Sequence, residues 1–581
     1  MKNPRRYSLF TLTLYAGFLL VIGRLFYWQV VKSNSLSAVA SNQYQRTFSV
    51  QGSRGRILTA DNKVLVGNEQ VYRVFAEPKI LDQPLEEVTA KLVSTIGVDL
   101  LEITAASTDA NLDEIIDQEK LRVFTRLDEK KDASWVGLYG KISQQTKERV
   151  DELAITGLGF EPYEVRMYPE ASMAAHLTGF VGKSETGQDL GYFGIEGALD
   201  KELQPRSIVE EWERGLLGFT RKNTNHIQSL DGRDIYLTAR RDIQKITEQH
   251  LEKALLKFGA KSGEVIIMEP QTGYILASAS FPRYDQKRFF EYEQKLYKNP
   301  IVSELFEPGS TFKPITVAAG IEAGSISPET KCSRCSQPVK VASYSIKTWN
   351  NEYNENISMT EALAKSDNTA MVFIQQETDT DSFIKTIQDF GFGSDTTFDL
   401  QEDIVTPFPK KLGPVELATI SFGQGISTNS LQLTRAIGAI ANGGSLMQPQ
   451  FISKVVDHTT QEEISTSPKK IGQPISRETA DEVTRMMVEA AEHGEAQWTA
   501  SAEYTVAAKT GTAQIAEDGK YNAEKTIASF VGFTPAHNPR YVMLVKIVEP
   551  QSSPWAAETA APLWYDIAQE VNWLLGIAPD K

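Results

Sequence analysis

The sequence predicts an α/β protein of the α+β kind: an antiparallel sheet flanked by helices, with a helical lobe, an N-terminal transmembrane helix and an elongated mixed α/β pedestal. Three observations predict it. An uncharged run, "YSLFTLTLYAGFLLVIG", extends from Tyr7 to Gly23. Two pairs of apolar runs around turn signals, "SGEVIIMEPQTGYILASAS" and "ASFVGFTPAHNPRYVMLVKIVEP", stand far apart in the second half. The segments between them have helical spacing, so distant parts of the chain close one sheet.

Size and charge narrow the function classes. A chain of 581 residues is too long for one ordinary core, so two or more domains are expected. A hydrophobic content of 41% with 23% charged residues is that of folded protein. The formal charge of -15 argues against nucleic acid as a partner, because binding it needs a basic surface.

Residues 1–7 read as a cytoplasmic tail and residues 8–31 as the transmembrane helix. As a helix, Ser8 to Val31 spans about 36 Å, enough for a hydrocarbon core of about 30 Å. Lys2, Arg5 and Arg6 precede it and hold the N-terminus in the cytoplasm, which sends the rest outside. Arg24 lies near the far end, where its head can snorkel to the interface. The rival is a cleavable signal with "AVA" (Ala38 to Ala40) as its site; the length of the apolar run and the interfacial Tyr27 and Trp28 favour a retained anchor.

Residues 32–235 form the expected pedestal. "RGRILTADNKVLV" reads as two strands around an Asp-Asn turn, and "LEEVTAKLVSTIG" and "ISQQTKERVDELAI" as helices. No catalytic constellation is visible there. Residues 236–578 are expected to form the second domain. It starts with an amphipathic helix that puts Ile243, Ile246, Leu251, Ala254, Leu255 and Phe258 near one face. The two cysteines, Cys332 and Cys335, leave a local disulfide and two free thiols equally open; two ligands do not make a structural zinc site, so no metal is expected.

Three stretches carry chemistry. In "EPGSTFKP", Ser310 and Lys313 stand at helical neighbour positions, so an amine of lowered pKa can take the hydroxyl proton. Pro314 belongs in a helix's first turn, which puts Ser310 among free N–H groups able to stabilise an oxyanion. Lys313 precedes that proline, so an irregular first turn is expected. In "AKSDNTAMVFIQQE", Ser366 can relay a proton and Asn368 can bind a carbonyl, although an Asx residue there also serves simply to cap the next helix. In "YTVAAKTGTAQIA", Lys509 supplies a cation, Gly511 lets substrate approach the backbone, and Thr510 and Thr512 offer hydroxyls to a carboxylate. Each pattern also arises by chance, at Ser467 to Lys470, Ser427 to Asn429 and Lys261 to Gly263. The decoys fail on order or surroundings.

Ser-x-x-Lys, Ser-Asp-Asn and Lys-Thr-Gly, in that order, are the signatures of penicillin-recognising serine acyltransferases. With "SFGQGISTNSLQLTRAIGAIANGG", and with the pedestal stretches "RGRIL", "RMYPEASMAAHLTGFVG" and "GYFGIEGALDKEL", the chain resembles a class B penicillin-binding protein, a monofunctional peptidoglycan D,D-transpeptidase, over nearly its whole length. "EPGSTFKP" and "FGQGIST" look most like the division-type septal members. The resemblance implies a penicillin-binding and serine β-lactamase-like fold, Ser310 as acylated nucleophile, Lys313 as its base, Ser366 and Asn368 as the second motif, and Lys509, Thr510, Gly511 and Thr512 lining the far wall. The N–H groups of Ser310 and Thr512 form the implied oxyanion hole. No cofactor is implied. The implied partners are D-Ala-D-Ala stem peptides, β-lactams as covalent inhibitors, the membrane, a polytopic glycosyltransferase and bitopic division proteins. The chain departs from the family pattern at "LTADNKV", where Asp-Arg-x-Gly is usual, at Arg240, often an aspartate, and at Ala508, often a glycine. An elongation-type transpeptidase, a serine β-lactamase, a D,D-carboxypeptidase and a non-enzymatic β-lactam sensor or scaffold are the alternatives. The Glu-x-x-Asn of class A β-lactamases is absent between Thr369 and Ala508.

Overall fold

The computed structural model describes residues 4–33, 45–97, 99–100, 112–215, 218–221, 230–396, 399–517 and 520–581. It divides into two compact units. The smaller comprises residues 1–53, 204–232 and 458–460. It holds the apolar helix Pro4–Phe26, which continues as one π-helical turn, Tyr27–Val31, and a separate three-stranded antiparallel sheet in which Gln45–Gln51 pairs with Ser207–Gly215. The stretch Ser8–Val31 is 24 residues long, apolar, and buried by nothing in the protein, as a lipid-facing helix requires.

In the larger unit, the Asp-Asn hairpin forms as its sequence suggests. Ile57–Leu58 pairs antiparallel with Val64–Ala76, and Asn62 takes the left-handed conformation (φ 59°) that a tight turn demands and asparagine tolerates. Two of the departures from the family pattern lie close together at this turn: Ala60 N–H donates to Ala239 O at 2.9 Å, and Arg241 N–H donates to the Asp61 carboxylate at 3.1 Å, on either side of Arg240. Arg240 itself turns to Asp242, 2.6 Å away. The three pedestal stretches converge on one buried ion-pair network. Glu196, fully buried, accepts from Arg54 at 2.6 Å and from Arg166 at 2.7 Å, and Arg54 also pairs with Asp200 at 2.8 Å. Charges this deep are tolerated only when paired and hydrogen-bonded, so the network fixes how these stretches meet.

The second half is built on one five-stranded antiparallel sheet. Helix α1 (Arg241–Phe258) leads into β1 (Ser262–Met268) and β2 (Ile275–Phe281). Helices α2 (Lys313–Glu322), α3 (Asn368–Glu377), α4 (Ser430–Ala441) and α5 (Arg477–His493) follow, then β3 (Ala507–Glu517), β4 (Lys520–Thr534), β5 (Tyr541–Val548) and α6 (Ala560–Leu574). The spatial order is β2-β1-β5-β4-β3, so the two hairpins, far apart in sequence, join through β1 and β5. Alternation along β1 sends Val265 and Ile267 to a core with α1 and α6, where Leu251, Trp564 and Ile567 lie buried. Ile266 and Met268 face the other core, with Ile437 of α4 and Leu544 of β5. Burying each such aliphatic side chain contributes about 1.5–3 kcal/mol, which anchors both helical layers to the sheet. Strand β3 is left at the edge, where a backbone ladder can be extended.

Ala508, where a glycine is usual, is accommodated by its cross-strand partner. A Cβ on Gly532 would lie 2.5 Å from Ala508 Cβ, so the glycine opposite makes room for the methyl group. Cys332 and Cys335 form a disulfide, both residues fully buried.

Candidate active site

The turn carrying Ser310 is irregular, although Lys313 itself keeps helical angles (φ -55°, ψ -36°) despite the proline that follows it. Gly309–Phe312 form a 3-10 turn, and the α-helix begins only at Lys313 with Pro314 in its first turn. Lys313 N–H closes the turn on Ser310 O, so half-buried Ser310 and Lys313 stand one 3-10 turn apart. Backbone contacts clamp the turn from two sides. Gly309, at φ 54°, donates its N–H to Gly423 O at 2.9 Å within "FGQG", and Gly425 N–H reaches the Glu307 carboxylate at 2.9 Å. On the other side runs β3: a Cβ on Gly511 would lie 2.8 Å from Thr311 Cγ2 and 3.1 Å from Pro308 O. Only glycine lets the strand come this close.

Lys313 is wholly buried, and its Nζ donates to Ser366 O at 2.5 Å and to Ser366 Oγ at 3.1 Å. Burial, reinforced by the nearby Lys509 ammonium, pushes its pKa down to about 7, against the opposing pull of Glu495 and Asp367. An amine poised there is able to act as a base at neutral pH. Ser366 is held at φ 56°, a costly conformation for a non-glycine residue, in the loop between the helix Met359–Ala364 and α3. The capping role belongs to Asp367, whose carboxylate accepts the N–H groups of Thr369 and Ala370 at 2.7 and 3.2 Å. Asn368 Nδ2 donates to Lys347 O at 2.9 Å and so ties the 339–349 segment to the second motif.

Lys509 is buried and burial lowers its pKa, with the carboxylate of Glu495 acting against that shift. Its Nζ donates to Thr510 Oγ1 at 3.0 Å, and Thr510 Oγ1 donates to Glu495 Oε2 at 2.7 Å. Thr512 Oγ1 accepts from Ala556 N–H at 3.1 Å, which fixes the loop after β5 against the strand. Beside that contact, Trp555 packs edge-on to Trp349, with ring centroids 5.3 Å apart, so an aromatic contact spans from the loop by β3 to the segment tied to Asn368.

The structure thus bonds Lys313 to Ser366, sets Lys509 close enough to act on Lys313, bonds Lys509 to Thr510, and packs Gly511 on the turn that carries Ser310, while Asn368 and Thr512 make their contacts to Lys347 and Ala556. The decoys go elsewhere: Asn429 caps α4 through Gln432 N–H at 2.7 Å, and Ser262-Gly263 opens the inner strand β1. Sequence reasoning missed Glu495 and the Trp349–Trp555 pair. Glu495 follows the end of α5 and belongs to no motif, and exposed tryptophans carry no periodicity. Among the described residues, no cluster of His, Cys, Asp and Glu suited to a metal ion is found.

Comparison with known proteins identifies the family and the fold. A family model described as the penicillin binding protein transpeptidase domain matches residues 263–569, and one described as the penicillin-binding protein dimerisation domain matches residues 49–237. Stage V sporulation protein D of Bacillus subtilis is 28% identical over 572 residues, covering 97% of this chain and 85% of that protein. Peptidoglycan D,D-transpeptidase FtsI of Escherichia coli is 25% identical over 567 residues, covering 96% of this chain and 90% of its own. The crystal structure of penicillin binding protein 2X from Streptococcus thermophilus has the same fold, with a TM-score of 0.75 at 23% identity over 91% of this chain and 80% of that one.

Proposed function

Because the chain belongs to the penicillin-binding protein transpeptidase family, we propose that Ser310 is its acylated nucleophile and that Lys313 is the base that activates it. The activity is that of a serine-type peptidoglycan D,D-transpeptidase, inhibited covalently by β-lactams. The observation that carries the residue assignment is the buried Lys313 amine, poised near neutrality one 3-10 turn from the Ser310 hydroxyl and bonded to Ser366.

In the first step Ser310 Oγ bonds to the carbonyl carbon of the penultimate D-Ala of a stem pentapeptide while its proton passes to Lys313 Nζ. The oxyanion lies against the N–H groups of Ser310 and Thr512. The C–N bond breaks, and the leaving D-Ala amine takes the proton through Ser366 Oγ. In the second step an amine from a neighbouring stem attacks the ester, loses its proton along the same relay, and returns Ser310 as a free hydroxyl. Lys509, Thr510 and Thr512 receive the substrate carboxylate, and Asn368 faces a substrate amide.

We read residues 8–31 as a single-pass anchor with residues 1–7 in the cytoplasm, residues 32–235 as the pedestal, and residues 236–578 as the extracytoplasmic transpeptidase domain. The resemblance of "EPGSTFKP" and "FGQGIST" to division-type members supports a role in septal wall synthesis, beside a polytopic glycosyltransferase and bitopic division proteins. The missing Glu-x-x-Asn and the long pedestal weigh against a β-lactamase. Intact mass spectrometry of the detergent-solubilised chain with benzylpenicillin tests the assignment: wild type gives an adduct stable over hours and Ser310→Ala gives none. An adduct on Ser310→Ala, or rapid turnover of penicillin, overturns it.

A further inference from the structure

Glu495 brings a carboxylate into the cleft from the end of α5, outside all three motifs. Lys509 Nζ, Thr510 Oγ1 and Glu495 Oε2 form one hydrogen-bonded file, with steps of 3.0 and 2.7 Å. A hydroxyl has a single proton to give, and Thr510 gives it to Glu495. A ligand carboxylate arriving at Lys509 and Thr510 must therefore draw that proton away from Glu495 and settle beside a fixed negative charge. Like charges at such range oppose binding, more strongly where the surroundings are buried.

We propose that Glu495 is a resident counter-anion that sets the affinity of the cleft for the terminal carboxylate of its substrates and of β-lactams. The inference rests on the transpeptidase reading of Lys509 and Thr510 as the carboxylate-binding wall. Glu495 acts on the base as well as on the ligand. The charged groups facing Lys313 are Lys509 on β3, Asp367 before α3 and Glu495 beyond α5; Lys509 lowers its proton affinity, while Glu495 and Asp367 raise it. Removing the Glu495 charge therefore moves the acid limb of acylation to lower pH.

The test compares Glu495→Gln, which keeps the shape and loses the charge, with wild type, using the full chain in detergent and benzylpenicillin or its uncharged methyl ester. Because Glu495 also helps Lys509 hold its proton, binding is compared at about pH 7 rather than in alkali: Glu495→Gln should half-saturate with benzylpenicillin at about tenfold lower concentration, and with the ester at the wild-type concentration. The acid limb should move down in Glu495→Gln, and less in Glu495→Asp, which keeps the charge. An equal gain with acid and ester, no gain, weaker binding of benzylpenicillin, or an acid limb that stays or rises overturns the inference. A wild type that forms no adduct with either compound overturns the transpeptidase reading itself, and this inference with it.

Discussion

Lys313 Nζ and Ser366 share two contacts, one to the serine's carbonyl oxygen at 2.5 Å and one to its hydroxyl at 3.1 Å. The first orients the amine, and the second, on the proposed mechanism, offers Ser366 as the outlet for its proton. A carbonyl can be supplied by any residue, but the outlet needs a hydroxyl.

The depressed pKa of Lys313 sets the pH profile. Protonated lysine cannot accept the Ser310 proton, so acylation by benzylpenicillin should rise with pH around a midpoint of about 7 and level off above it. A flat profile between about pH 5 and 9 excludes Lys313 as the base. The stability sign follows from the same shift. Between about 7 and 10.5 the unfolded chain holds a proton that the folded chain does not, so this residue makes stability rise with pH across that window. Lys313→Met should lose acylation by about 10³-fold or more, yet at about pH 6 melt no lower than wild type, because it removes a buried charge.

Gly511→Ala should separate the two walls of the cleft. The added methyl group meets Ser529 Oγ and Thr311 Cγ2 at 2.8 Å. The strain should cost about 1–3 kcal/mol in denaturant unfolding. Displacing β3 from the Ser310 turn should slow acylation by about 10²-fold. Gly140→Ala, with nothing within 4 Å of the new Cβ, is the control and should change neither quantity.

Glu196→Gln tests the pedestal network. It leaves the guanidinium groups of Arg54 and Arg166 facing a neutral amide inside the protein. Unfolding should become easier by about 3 to 5 kcal/mol, while the acylation rate of the folded fraction stays at the wild-type value. A wild-type melting temperature would mean that the network is dispensable.

The Cys332–Cys335 bridge closes a very short ring, so loop entropy limits its contribution to roughly 2 kcal/mol. The Cys332→Ser/Cys335→Ser chain should lose about that much in urea unfolding, and its acylation rate should change by less than about threefold. A larger loss of acylation would show that the bridge positions the segment tied to Asn368.

Most of this arrangement was legible where chemistry and backbone geometry make the same demand. Ser310 and Lys313 had to share a turn, and that turn is 3-10 as an irregular start allows, but not through the pre-proline bias, since Lys313 keeps helical angles. The hairpins were visible because strand alternation and turn residues are local signals. Their joining through β1 and β5 followed from fold class rather than from any residue. Glu495 was invisible because its role depends on a tertiary approach to Thr510, and a single carboxylate after a helix has no signature of its own. The disulfide stayed open for a similar reason: two cysteines three apart are compatible with either state until their surroundings are known.

The contact between Trp349 and Trp555 gives the cleft a built-in optical reporter. Both indoles are about half exposed, they are two of the chain's eight tryptophans, and their segments are tied to Asn368 and to Thr512. A change in how those two segments face each other alters the contact between the rings, and indole emission is sensitive to that change. Movement of one segment against the other can thus be followed in the unlabelled protein, in real time, by the light its own side chains emit.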